Sequence, residues 1–196
     1  MLRLGKWIAL GSVAFASFSA QAASWALDED ASSVHFVTVK NAVIAETHEF
    51  LQISGAVAAE EAAVTIALGS VETLIAIRNE RMREMLFEVA NYPKAILTAP
   101  VAQGTVEALA PGESVEQRLT GTLSLKGAGI PLEFSVRVSR QGPDAVRVES
   151  LGPVMVSAEQ LGLAAGVEAL RAIAGLNSIT PMVPVSFSLL FRAPAA

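Results

Sequence analysis

The chain contains no cysteine. Disulfides, thiolate metal sites, cysteine nucleophiles and a lipid anchor on an N-terminal cysteine are therefore excluded. Any fold must hold through its core alone. Histidine is almost as scarce, with only His35 and His48 in 196 residues. A Ser-His-Asp arrangement needs one of these beside both a nucleophile and an orienting acid. No G-x-S-x-G elbow presents a serine, and no glycine-rich loop ends in Gly-Lys-Ser/Thr. Acidic side chains outnumber basic ones, 19 to 14, which argues against nucleic acid as a partner. Aromatics make up only 6% of the chain, so an interior must be built largely from Ala, Val and Leu. Small inward residues leave room for a guest, but a solid core accounts for the composition equally well.

What is present begins with an export segment. Arg3 and Lys6 supply positive charge, an apolar run spans Trp7 to Phe18, and Ala20-Gln21-Ala22 supplies a small-x-small cleavage site. This is the layout of a secretory signal peptide over residues 1–22. The run falls short of the roughly 20 apolar residues that span a bilayer. Cleavage removes two basic residues and no acidic one, leaving residues 23–196 with a net charge of −7. No linker rich in Pro, Gly or Ser divides the remainder, which reads as one domain. The expected location is the periplasm.

The mature region alternates. Val34 and Phe36 share one side, which Thr38 and Lys40 continue outward, while His35 falls on the other, outer side with Ser33 and Val37. Further alternating sets are Val64, Ile66 and Leu68; Leu119, Gly121, Leu123 and Leu125; Leu132, Phe134, Val136 and Val138; and Val183, Val185, Phe187, Leu189 and Phe191. A period of two with polar partners marks half-buried antiparallel strands. Turn signals separate them at Ala110-Pro111-Gly112-Glu113, Lys126-Gly127-Ala128-Gly129 and Gln141-Gly142-Pro143-Asp144. The alanine-rich patch Ala56–Ala63 reads as a loop and a strand start. The expected fold is all-β, about eight strands closed into an antiparallel barrel, which leaves no unpaired edge.

Two stretches break the pattern. Arg78 to Asn91 places Met82, Met85, Leu86 and Val89 on one helical face, ended by Tyr92-Pro93. Val167 to Ala174 places Val167, Leu170 and Ala174 on another, with Gly175 as its C-cap. The arginines Arg78, Arg81 and Arg83, with Glu80 and Glu84, read as a solvated face; the alternative is an arginine meeting an anionic head group at a barrel mouth. His35, Glu46, His48 and Glu49 are the only clustered metal-ligand types. They read as a solvated connection between strands, and no metal is expected.

Several segments carry a family resemblance. They are Trp25-Ala26-Leu27-Asp28 with Ser32-Ser33-Val34-His35-Phe36; Phe50-Leu51-Gln52-Ile53-Ser54-Gly55; Arg78-Asn79-Glu80-Arg81-Met82 through Leu86-Phe87-Glu88-Val89 to Tyr92-Pro93; and Leu119 to Gly127 with Pro131-Leu132. In this order, from Trp25 to Phe191, they resemble the YceI family of periplasmic lipid-binding proteins. The resemblance implies a lipocalin-like eight-stranded antiparallel barrel with an apolar tunnel, holding a polyisoprenoid or an isoprenoid quinone. The family often has a histidine where this chain has Ala31, and Gly-x-Phe where it has His48-Glu49-Phe50. A head-group contact from the first of these is expected to be missing.

The expected function is thus a periplasmic carrier of an isoprenoid lipid, and no enzyme. The expected lining is Phe36, Leu123, Leu125, Phe134, Val136, Phe187 and Leu189, with Met82, Met85 and Leu86 near one end. No cofactor is expected other than a bound isoprenoid lipid or quinone. Three alternatives stay open: a quinone-binding accessory to a membrane cytochrome, a ligand-free stress or interaction protein with a solid core, and a hydrolase or isomerase whose histidine faces a cavity beside a carboxylate. Transient contact with a membrane protein and a homodimer also stay open.

Overall fold

The computed structural model describes residues 25–58, 60–102 and 104–193. The signal peptide expected over residues 1–22 lies outside them. Eleven strands run in chain order: β1 (Trp25–Lys40), β2 (Ile44–Phe50), β3 (Ile53–Ala58), β4 (Glu61–Ala67), β5 (Val71–Glu72), β6 (Lys94–Pro100), β7 (Ser114–Leu125), β8 (Ala128–Arg140), β9 (Ala145–Ser150), β10 (Val154–Ser157) and β11 (Met182–Arg192). Eight of them, β1, β3, β4, β6, β7, β8, β9 and β11, form an antiparallel ring closed by pairing of β1 with β11. The expected barrel is therefore present; closure leaves no edge within the ring, and only the short β5 and β10 remain as edge strands.

The long β1 makes closure possible. Its first residues pair with β3 and β11, and its last six pair with β2, which extends one wall beyond the ring. A register shift between Asp28 and Ser33 bends the strand. Ser32 repairs the broken ladder: its hydroxyl donates to the Asp28 carbonyl at 2.6 Å and accepts from the Leu190 amide at 2.9 Å. The β7–β8 hairpin turns on Lys126 and Gly127, both with positive φ (50° and 78°), the conformation a tight two-residue hairpin requires. Beside it, Gly121 is forced to be glycine. A Cβ there would sit 2.7 Å from the Thr98 carbonyl oxygen of the neighbouring strand. The strand start expected in the alanine-rich patch is present, as β4 from Glu61, whereas Ala56–Ala58 is the end of β3 and not a loop; the two arms are in register from Ala58 opposite Glu61 to Ile53 opposite Ile66.

The helical segments cover one end. Helix α1 (Ala76–Arg81) runs into a π-helical turn (Met82–Leu86), and α2 (Ala164–Ile173) packs on that turn. Gly166 of α2 comes so close that a Cβ would lie 2.7 Å from the Met85 carbonyl oxygen. The first helix gives way to the π turn after Arg81, and the helical run ends at Leu86 rather than Asn91; just beyond it Glu88 adopts positive φ (52°) and pairs with Lys126. The second ends as expected. Gly175 takes φ 62°, its amide donates to Ala172, and the Leu176 amide donates to Arg171, which together close a Schellman cap. At the opposite end Arg140 donates to the carbonyls of Val106 and Leu109, pinning that loop across the barrel.

No side chain caps α1 at Ile75; buried Asn79 instead ties the helix to the segment before it. Its Oδ1 accepts from the Thr73 amide (2.9 Å) and hydroxyl (2.5 Å), and its Nδ2 donates to Glu72 (3.0 Å). Asn79→Ala strands a buried amide, so urea unfolding should show a loss of about 2 kcal/mol.

Candidate functional site

The alternating residues of β1, β4, β7, β8 and β11 point inward and leave a cavity of about 480 Å³ between the barrel wall and the helices. Its walls are almost wholly hydrocarbon. Phe36 stacks on Phe50 at 5.2 Å between ring centroids, and Phe50 meets Phe87 at 5.9 Å. Ile75 and Ile77 by α1, and Ile173 and Ala174 by α2, line the cavity and are also exposed. These four residues mark its opening.

Eight of the ten residues expected to line the interior do so: Phe36, Met82, Leu86, Leu123, Leu125, Phe134, Phe187 and Leu189. Met85 does not. The π turn bonds the Phe87 amide to the Met82 carbonyl, five residues back, so Leu86 and Phe87 take the inward face and Met85 rotates off it toward α2. Val136 is fully buried but lines a second, smaller cavity of about 90 Å³ at the other end of the barrel. The two cavities share Val64, Leu97, Phe134, Phe187 and Leu189 as lining. Across that shared wall the Phe134 and Phe187 rings meet edge to face at 6.0 Å.

The sequence reading missed the polar part of the wall. His48 is not in a solvated connection. It lies on β2 opposite Phe36, is 4% exposed, and lines the large cavity. Its Nε2 is 2.9 Å from the Thr38 hydroxyl. Burial first, then the Arg78 charge, pushes its pKa down, so the ring is neutral. Glu46, on the same face of β2, binds Lys40 at 2.6 Å and Arg78 at 2.7 Å. The Lys40 hydrogen bond first, and the nearby Arg78 charge, hold this carboxyl below its ordinary range. Arg78 and Arg81 line the cavity rather than a solvated face. His35 and Glu49 turn the other way, 3.9 Å apart and substantially exposed. Among the described residues no three His, Asp or Glu side chains gather as a metal site.

One condition for a catalytic histidine is met, since His48 faces the cavity with Glu46 two residues away. The geometry does not complete a triad. Glu46 is committed to two cations, and the His48 Nδ1 has no orienting partner. Ala31 is not on the lining either; its carbonyl accepts from Arg147.

Burial of His48 gives a pH signature. Unfolded, its imidazole takes a proton near its ordinary 6.5; folded, it does so only at lower pH. Stability from this group is complete above that value and is lost as pH falls through it. The unfolding free energy should therefore drop between about pH 7 and about pH 5, with a smaller drop in His48→Phe.

This geometry defines a class: a small closed barrel that encloses an apolar cavity with one polar shoulder. A family model for the YceI-like domain matches residues 25–191, and the chain belongs to that family. A solved polyisoprenoid binding domain from Saccharophagus degradans is 39% identical, with a TM-score of 0.85 over 88% of this chain and 99% of that one. BcnA from Burkholderia cenocepacia shares the fold at 19% identity and a TM-score of 0.65, over 84% and 98% of the two chains. The YCEI protein of Campylobacter jejuni does so at 12% identity and a TM-score of 0.55, over 76% and 85%. No match was found among curated proteins.

Proposed function

We propose that this protein binds one isoprenoid lipid in the large cavity and serves as its carrier or reservoir in the periplasm. The observation that carries the reading is the enclosed hydrocarbon volume of about 480 Å³ opening at one end of the barrel. At about 30 Å³ per heavy atom, the liquid share of a water molecule, that volume takes at least roughly sixteen atoms, or about three isoprene units. Each buried CH₂ contributes about 0.8 kcal/mol, so ten give roughly 8 kcal/mol gross, near micromolar binding before ordering costs. Burial of the tail is the main favourable contribution.

The 39% identity to a polyisoprenoid binding domain supports the same ligand class. The N-terminal segment with Arg3, Lys6 and Ala20-Gln21-Ala22 supports export. No helix among the described residues is long and apolar enough to cross a membrane. The test is titration of delipidated protein with a radiolabelled polyprenol of about three isoprene units. The expected result is saturable binding of one molecule per chain at micromolar concentration or below. Absence of saturable binding overturns the proposal.

A further inference from the structure

Apolar side chains that meet water are not spread evenly over this molecule. Of the twelve large hydrophobic residues exposed among the described ones, six stand at one end: Val43, Ile44, Leu74, Ile75, Ile77 and Ile173. They ring the mouth of the large cavity, and Ile75, Ile77 and Ile173 also line it. Three segments bring them together. The β1–β2 turn presents Val43 and Ile44. It is tied to the segment after α2, where the Asn41 amide donates to the Ser178 carbonyl (2.9 Å) and the Asn177 amide donates to the Asn41 side chain (2.8 Å). The segment from Leu74 into α1 is tied to β2 by Arg78 donating to Glu46. An apolar rim of this kind marks an interaction surface.

Leu74 is the outlier within it. It is 90% exposed and takes φ 61°, the only large apolar residue among the described ones in the left-handed region. A bulky side chain there is strained, and in water it recovers nothing by burial. The chain nevertheless fixes it in place. Its amide donates to the Glu72 carboxylate, and the Thr73 carbonyl before it accepts from Arg78 at 2.6 Å. A leucine held out in this way gains free energy only when something apolar receives it.

Charge and continuity say what receives it. The rim segments, residues 40–46, 72–81 and 168–180, hold four basic and four acidic side chains. The net charge of −7 on residues 23–196 therefore lies entirely elsewhere. The opposite end of the barrel is acidic, with Glu60, Glu61, Glu107, Glu113 and Asp144 exposed in its loops. Near an anionic surface such a molecule turns its neutral, apolar end forward. Ile77 and Arg81 lie one turn apart on α1 and both line the mouth. One helix face thus offers a hydrocarbon anchor and a cation for a phosphate. Hydrocarbon outside the mouth would also continue the hydrocarbon inside it, giving a lipid a path that never crosses water.

We propose that the mouth of the barrel docks on an anionic lipid bilayer, with Val43, Leu74 and Ile77 entering the headgroup layer and Arg81 meeting a lipid phosphate. That a lipid then passes through the mouth rests on the carrier reading above; the docking itself does not.

The test is flotation of protein recovered from the periplasm with protein-free vesicles of equal parts phosphatidylethanolamine and phosphatidylglycerol. The wild type should float with them. Leu74→Asn removes the anchor and supplies a residue that tolerates left-handed φ. Its partition onto the vesicles should fall about tenfold while its melting temperature holds or rises. Ile96→Thr removes an exposed apolar side chain from the outer wall of β6, away from the mouth, and should float as the wild type does. Binding unchanged in Leu74→Asn, or lost equally in Ile96→Thr, overturns the docking. So does a wild type that ignores these vesicles and floats only with native membranes until they are treated with protease, which would make a membrane protein the partner. Polyprenol bound in solution by a chain that never floats overturns the docking alone. Flotation of a chain that binds no polyprenol upholds the docking and removes the carrier reading.

Discussion

Leu125→Arg is expected to yield a folded protein that no longer retains lipid. Leu125 closes β7 beside the helical end, is 5% exposed, and lines the large cavity. An arginine there puts a charge where a hydrocarbon tail would lie. An unpaired polar group in such surroundings costs about 3 kcal/mol or more, which is over a hundredfold in affinity. Leu125 is the last residue before the hairpin turn, so the ladder of β7 and β8 stays intact up to it. Far-ultraviolet circular dichroism should therefore match the wild type while extracted lipid falls below a hundredth. A folded variant with full lipid content would show that the cavity is not the binding site.

The second large effect concerns tail length. Phe134 and Phe187 stand between the two cavities, edge to face, and both rings belong to both linings. Phe134→Ala removes the ring and joins the volumes of about 480 Å³ and about 90 Å³. The combined gain is room for about one further isoprene unit at liquid density. Across a series of polyprenols, the length bound most tightly should shift upward by that unit. The empty variant should lose about 3 kcal/mol of stability, because a core aromatic has been deleted, and a longer tail should restore part of the loss. An unshifted length optimum would mean that the wall is not formed by these rings.

The inward faces of β7, β8 and β11 were legible because Leu123, Leu125, Phe134, Phe187 and Leu189 alternate with Ser, Thr, Glu and Arg. A barrel strand with one wet face writes its orientation into that period. Met85 was misplaced because a helical period assumes 3.6 residues per turn, and the π turn after Arg81 breaks it. Val136 keeps the correct face but sits beyond Phe134, and alternation gives direction, not depth. His48 was lost for a different reason. Its neighbours Glu46, Thr47 and Glu49 make the segment look solvated, whereas its partners come from elsewhere: Phe36 and Thr38 on β1, beside Arg78, which Glu46 holds from a helix 30 residues on. Polarity that is satisfied only in three dimensions leaves no local signature.

The most direct test is to purify the protein from the periplasm without detergent, extract it with organic solvent, and identify the extract by mass spectrometry. The account predicts about one isoprenoid lipid per chain, absent from Leu125→Arg. An extract without lipid, or the same lipid recovered equally from that variant, would contradict it.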